Sequence, residues 1–108
     1  NRMFILLMQI PSFRTLFKER FAYYYDEILP RMSAMIPVLG ESLEEMAERN
    51  FEKWPILSTY VWPNPWEVVN RQTYDSQVDY VHTYLIMRSN WMDRSLDGSS
   101  CLYGYFEN

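Results

Sequence analysis

From Ser12 to Leu29 the chain reads SFRTLFKERFAYYYDEIL, and the spacing of its apolar residues decides the fold class. Phe13, Leu16, Phe17, Phe21, Tyr24 and Ile28 fall three or four residues apart. That period places them on one face of a helix and does not suit a strand. Ser12 is expected to cap the helix, and Pro30 to close it near Leu29. Proline also suits the first turn of a following helix, because its φ is already near the helical value.

Working outward, helical spacing dominates. Arg2 to Gln9 is a short apolar segment that stops at Ile10, the residue before Pro11. Met3, Phe4, Ile5, Leu6, Leu7 and Met8 are apolar all round such a helix, which leaves it no good solvent-facing side. Arg31 to Ile36 is expected to be helical, with Pro37 and Gly40 breaking or kinking the path. Ser42-Leu43-Glu44-Glu45 has the form of a capping box opening another helix. That helix turns Leu43, Met46, Ala47 and Phe51 or Trp54 inward, pairs Glu45 with Arg49, and ends at Trp54-Pro55. Residues 55–72 hold Pro55, Pro63 and Pro65, which forbid a continuous helix; at most Thr59 to Trp62 is extended. Thr73 is a good N-cap for a last helix reaching Leu96, with a stripe of Tyr74, Val78, Val81, Leu85, Met92 and Leu96. The expected fold is all-α: about four helices, with an irregular Trp/Pro-rich connection before the last.

Composition bounds the function. The 108 residues suffice for one small domain, and 48% hydrophobic with 22% charged residues is a globular balance. Nine Tyr, six Phe and four Trp are many for so short a chain. Rings bury large areas and are enriched at interfaces, so some are expected to meet a partner, and the isolated chain to form a homodimer. A net charge of -4 carries no footprint for DNA or RNA, and no basic run suits an anionic membrane. Cys101 is the single cysteine, so no internal disulfide forms.

Between Glu48 and Asn64 the chain reads ERNFEKWPILSTYVWPN, a run of bulky, rigid residues that chance rarely assembles. This stretch resembles the carboxy-terminal part of CotH kinase-family proteins, where an acidic helix ends in a similar RNF-x-x-WPIL-x-x-YVWPN pattern. The residues carrying the resemblance are Arg49, Asn50, Phe51, Trp54, Pro55, Tyr60, Val61, Trp62, Pro63 and Asn64. Upstream, Phe13-Arg14 and Phe17-Lys18-Glu19-Arg20-Phe21 are similar to the family's helix after a Pro-x-Phe-Arg start. Downstream, Tyr74, Val78-Asp79-Tyr80, Leu85, Arg88 and Trp91-Met92-Asp93 are similar to its final helix. Pro37 departs from the pattern, which continues as helix there. Residues 1–98 then form a helical carboxy-terminal subdomain, a fragment of an atypical kinase-like fold, and residues 99–108 a tail outside the resemblance.

The resemblance implies a parent protein kinase first associated with spore coat assembly, with relatives among secreted and cell-surface bacterial proteins, some cellulosomal. ATP and Mg are implied for the parent only. The family's nucleotide- and metal-binding acids lie before the matched region, and neither a Gly-rich loop nor a strand-borne Lys is present. No catalytic, cofactor-binding or metal-binding residue is therefore assigned to this chain. The expected partner is the remainder of the parent domain, and the motif residues are expected to be structural, with Trp54, Tyr60 and Trp62 buried among the helices. An alternative is an interaction module that binds carbohydrate or protein through exposed aromatics.

Individual residues fit that reading. His82 is the single histidine, too few ligands for zinc, and reads as a packing or surface residue. Glu41, Glu44, Glu45, Glu48 and Glu52 read as a solvated helix face. Arg88, on the apolar stripe, is expected to need a carboxylate such as Asp26 or Glu27 if buried, or else to lay its stem along apolar surface.

Overall fold

In the computed structural model, residues 2–97 are described; Cys101 and the 99–108 tail lie outside them. The order is α1 (Arg2–Met8), α2 (Pro11–Tyr23), a π-helical segment (Tyr24–Ile28), α3 (Leu29–Ser42), α4 (Glu44–Lys53), a 3-10 turn (Trp66–Asn70) and α5 (Tyr74–Leu96). The fold is all-α, and no strand forms among the described residues. With α1 only seven residues long, four helices make up most of it. No described helix is long and apolar enough to cross a membrane.

The chain divides into two compact units. Of the described residues, the first holds those up to Arg31 together with Ile86 to Asp97; the second is Met32–Leu85. In the first unit Met8 (3% exposed) and Phe21 (8% exposed) are buried, with Leu29. Phe4 of α1 meets Phe17 of α2 edge-on, with ring centroids 5.5 Å apart. The Arg14 Nε–H donates to the Met8 carbonyl at 3.1 Å, satisfying an end of α1 that no helical amide reaches. The π-helical segment is tied to α5 through two phenols. Tyr24 Oη lies 3.0 Å from Ser89 Oγ, and the Tyr25 hydroxyl donates to Asn90 Oδ1 at 2.7 Å. Met3, Ile5 and Leu6 stay exposed, as an all-apolar short helix implies.

Two helix boundaries differ from expectation. Ile10, with no side-chain cap, precedes α2, and Pro11 takes the first helical position instead of Ser12 capping it. Pro30 does not end a helix but lies in the first turn of α3. It has no N–H for the Asp26 carbonyl; just before it the chain widens into the π pattern, where the Leu29 N–H reaches the Tyr24 carbonyl.

In the second unit, α3 runs through both Pro37 and Gly40. Gly40 is a close-approach residue, not a breaker. A Cβ on it would lie 2.8 Å from Val78 Cγ1 of α5, and the Tyr74 hydroxyl donates to its carbonyl at 3.1 Å. Packing at this point outweighs glycine's poor helix propensity. The expected capping box does not form. Ser42 Oγ donates back to the Leu39 carbonyl, and Leu43 occupies the N-cap of α4 with no side-chain bond. The Glu45–Arg49 ion pair is present.

The start of α5 matches its sequence signal. The Ser76 N–H donates to Thr73 Oγ1 at 3.1 Å, and the Thr73 N–H to Ser76 Oγ at 3.1 Å, a reciprocal cap with serine in place of glutamate. Thr73→Ala removes one bond of this pair. It is expected to cost about 1 kcal/mol, read as a lower urea midpoint with an unchanged slope.

Candidate functional site

The second unit carries the residues singled out from sequence between Arg49 and Asn64. Arg49, exposed on α4, pairs with Glu45. The Asn50 carbonyl accepts the Trp54 N–H at 2.8 Å and closes α4. Of the ten motif residues Phe51 alone is half-buried, its ring 6.4 Å from that of Tyr74. Trp54 is 57% exposed, with the Lys53 ammonium 5.4 Å from its ring centroid. Tyr60 is 40% exposed and Trp62 80%. Pro55, Val61, Pro63 and Asn64 are exposed too, and the Trp62–Pro63 peptide is cis.

Burial of Trp54, Tyr60 and Trp62 among the helices is thus contradicted. The segment closes on itself by local turns: the Thr59 N–H meets the Ile56 carbonyl, and the Asn64 N–H that of Val61. No strand forms at Thr59 to Trp62. Its rings pair locally, Tyr60 with Trp66 at 5.0 Å. The residues that do turn inward are smaller: Leu57, Val68 and Val69 are half-buried. Arg71 then fastens the segment to α5. Its Nε–H donates to Gln77 Oε1 at 3.2 Å, the Gln77 amide returns a bond to the Arg71 carbonyl at 3.0 Å, and its guanidinium lies 3.8 Å from the Tyr80 ring centroid. The sequence signal for these anchors was the few aliphatic residues standing among the tryptophans. Trp62→Ala is accordingly expected to change unfolding stability by no more than about 0.5 kcal/mol, measured by urea denaturation.

Beside the motif lies an open cleft of about 530 Å³, lined by Glu44, Glu45, Glu48 and Asp75 with Phe51, Leu57, Thr73 and Tyr74. A second cleft of about 410 Å³ adds Glu41 and Asp79. Glu41, Glu44, Glu45, Glu48 and Glu52 are all exposed, as a solvated face requires. Among the described residues no three His, Cys, Asp or Glu converge to hold a metal ion. Charge is unevenly divided. Met32–Leu85 carries eight carboxylates (Glu41, Glu44, Glu45, Glu48, Glu52, Glu67, Asp75, Asp79) against three cations (Arg49, Lys53, Arg71).

His82 is half-buried, with Nε2 2.6 Å from Ser33 Oγ of α3. Ser33 is 49 residues away in sequence and gave no signal of its own. Neither residue lines either acidic cleft, so the pair reads as a packing bond between two helices. In the first unit, Arg88 is exposed and its guanidinium lies 4.1 Å from the Trp91 ring centroid. It is not buried and needs no carboxylate from Asp26 or Glu27; an aromatic face takes the cation instead.

The site is thus an exposed aromatic segment beside an acidic cleft on an all-α chain. The family model described as CotH kinase protein matches residues 1–92, and the chain belongs to the CotH family. No curated protein and no solved structure matches it.

Proposed function

We propose that this chain is the non-catalytic helical carboxy-terminal part of a CotH-family protein whose full-length form is kinase-like. It supports the kinase-like domain and offers a protein-contact surface. The observation that carries this reading is the outward direction of the family motif. Rigid rings such as Trp54, Trp62 and Trp66 are exposed, and surfaces of that composition serve contact. ATP and magnesium belong to the parent's other residues. In isolation, the uncovered apolar side of α1 favours a two-fold dimer that uses the same patch on both copies. The resemblance to secreted and cell-surface relatives supports a location at the bacterial cell surface or outside the cell as part of this proposal.

Calorimetric titration with ATP and magnesium tests the non-catalytic half of the proposal. The expected result is no stoichiometric heat. A one-to-one micromolar signal would place a nucleotide site within these residues.

A second reading is a carbohydrate-binding module of a secreted protein. Its support is the pairing of Tyr60 with Trp66 beside the outward Trp62, since exposed ring faces suit sugar rings. Titration of soluble oligosaccharides against tryptophan fluorescence separates the two. A saturable shift abolished by Trp62→Ala supports the module, and a flat response supports the contact surface.

A further inference from the structure

We propose that the apolar groove formed by α2 and the last turns of α5 is a docking site for an acidic amphipathic segment of a partner protein. This site is distinct from the aromatic motif and does not depend on the support role above. Two adjoining cavities, of about 190 and about 350 Å³, share Phe17 and Met92 in their walls. Phe4, Met8 and Leu96 extend the apolar wall of one, Phe21 and Tyr24 that of the other. The smaller falls below the size of ordinary small-molecule sites, which start near 300 Å³. Adjoining hollows on this scale suit bulky side chains spaced along one face of a segment, as when a helix lies in a groove.

The rim decides the chemistry of the occupant. Arg88 borders one cavity and Arg20 the other. Both are exposed, and neither makes an ion pair within the described residues. Arg88 lies over the Trp91 ring and neither guanidinium has a carboxylate partner among the described residues, so the N–H edges of both stay open to a carboxylate, which a guanidinium meets through two parallel bonds. The described part of this unit carries seven cations (Arg2, Arg14, Lys18, Arg20, Arg31, Arg88, Arg94) against five carboxylates (Glu19, Asp26, Glu27, Asp93, Asp97). That slight excess favours a few carboxylates and is too small for a polyphosphate backbone. The occupant is therefore a segment with two bulky apolar residues about one helical turn apart, flanked by glutamate or aspartate.

The test uses the whole chain and a fluorescent peptide with two phenylalanines one helical turn apart between glutamates. A second peptide carries lysines in place of the glutamates. Fluorescence anisotropy is expected to show saturable binding of the acidic peptide and at least tenfold weaker binding of the basic one, roughly what two rim ion pairs supply. The double variant Arg20→Glu with Arg88→Glu is expected to reverse that order. Such a reversal is not produced by partial unfolding. Equal binding of both peptides, binding of neither, or an unchanged order in the double variant overturns the proposal. So does an affinity that rises tenfold when residues 98–108 are deleted, because the chain's own tail would then be the occupant.

Discussion

Phe21→Ala is expected to be the most destabilising single change in the first unit, at about 3–5 kcal/mol. Phe21 is the large aromatic buried among the described residues of this unit, and its ring meets those of Tyr24 at 5.5 Å and Tyr25 at 6.1 Å. Those two phenols bond Ser89 and Asn90, so removing Phe21 also loosens the bonds from the π-helical segment to α5. Small domains are stable by only about 5–15 kcal/mol, so the loss takes a large share. Urea denaturation followed by far-ultraviolet circular dichroism measures it. A change below about 1 kcal/mol would show that Phe21 is not a core residue.

The second large effect belongs to Gly40. By helix propensity alone, Gly40→Ala would stabilise α3 by about 1 kcal/mol. The contact predicts the opposite sign. The new Cβ would lie 2.8 Å from Val78 Cγ1, and a valine in a helix has little freedom to turn away. The helices must separate, and overpacking of this kind costs about 1–3 kcal/mol. Val78→Ala in the same chain removes the opposing methyls and is expected to recover most of the loss, so the double variant exceeds Gly40→Ala alone in urea midpoint. Stabilisation by Gly40→Ala alone would mean that the close approach does not exist.

Periodicity made the helices legible, and it failed where one residue type has two uses. Phe13, Phe17 and Phe21 recur at the helical spacing and turn inward. Gly40 and Pro37 read locally as breakers, yet α3 passes through both, because the reason for Gly40 is Val78, distant in sequence. Ser42 and Glu45 spelled a capping box, but Ser42 is still the last residue of α3, where its hydroxyl donates back to the Leu39 carbonyl, and Leu43 takes the N-cap of α4. Thr73 caps as read, with Ser76 completing the pair.

The motif was legible as a unit but not in its direction. Bulk and rigidity mark Trp54, Tyr60 and Trp62 as contact residues without saying which side they contact. The turns that point them outward depend on which carbonyls the Thr59 and Asn64 amides reach. Ser33 and His82 meet through the folding together of two helices, which no local pattern encodes.

The central claim is that the outward-facing motif is a contact surface of a CotH-family domain. Its most direct test is fluorine NMR of 5-fluorotryptophan, read as solvent-induced shift and quenching by a soluble paramagnet. It compares the isolated chain with one extended to a complete CotH domain. Trp91, in the other unit, serves as an internal reference. The expected result is that Trp54, Trp62 and Trp66 are freely quenched in the isolated chain and protected in the complete domain. Equal quenching of the three rings in both chains would contradict the claim.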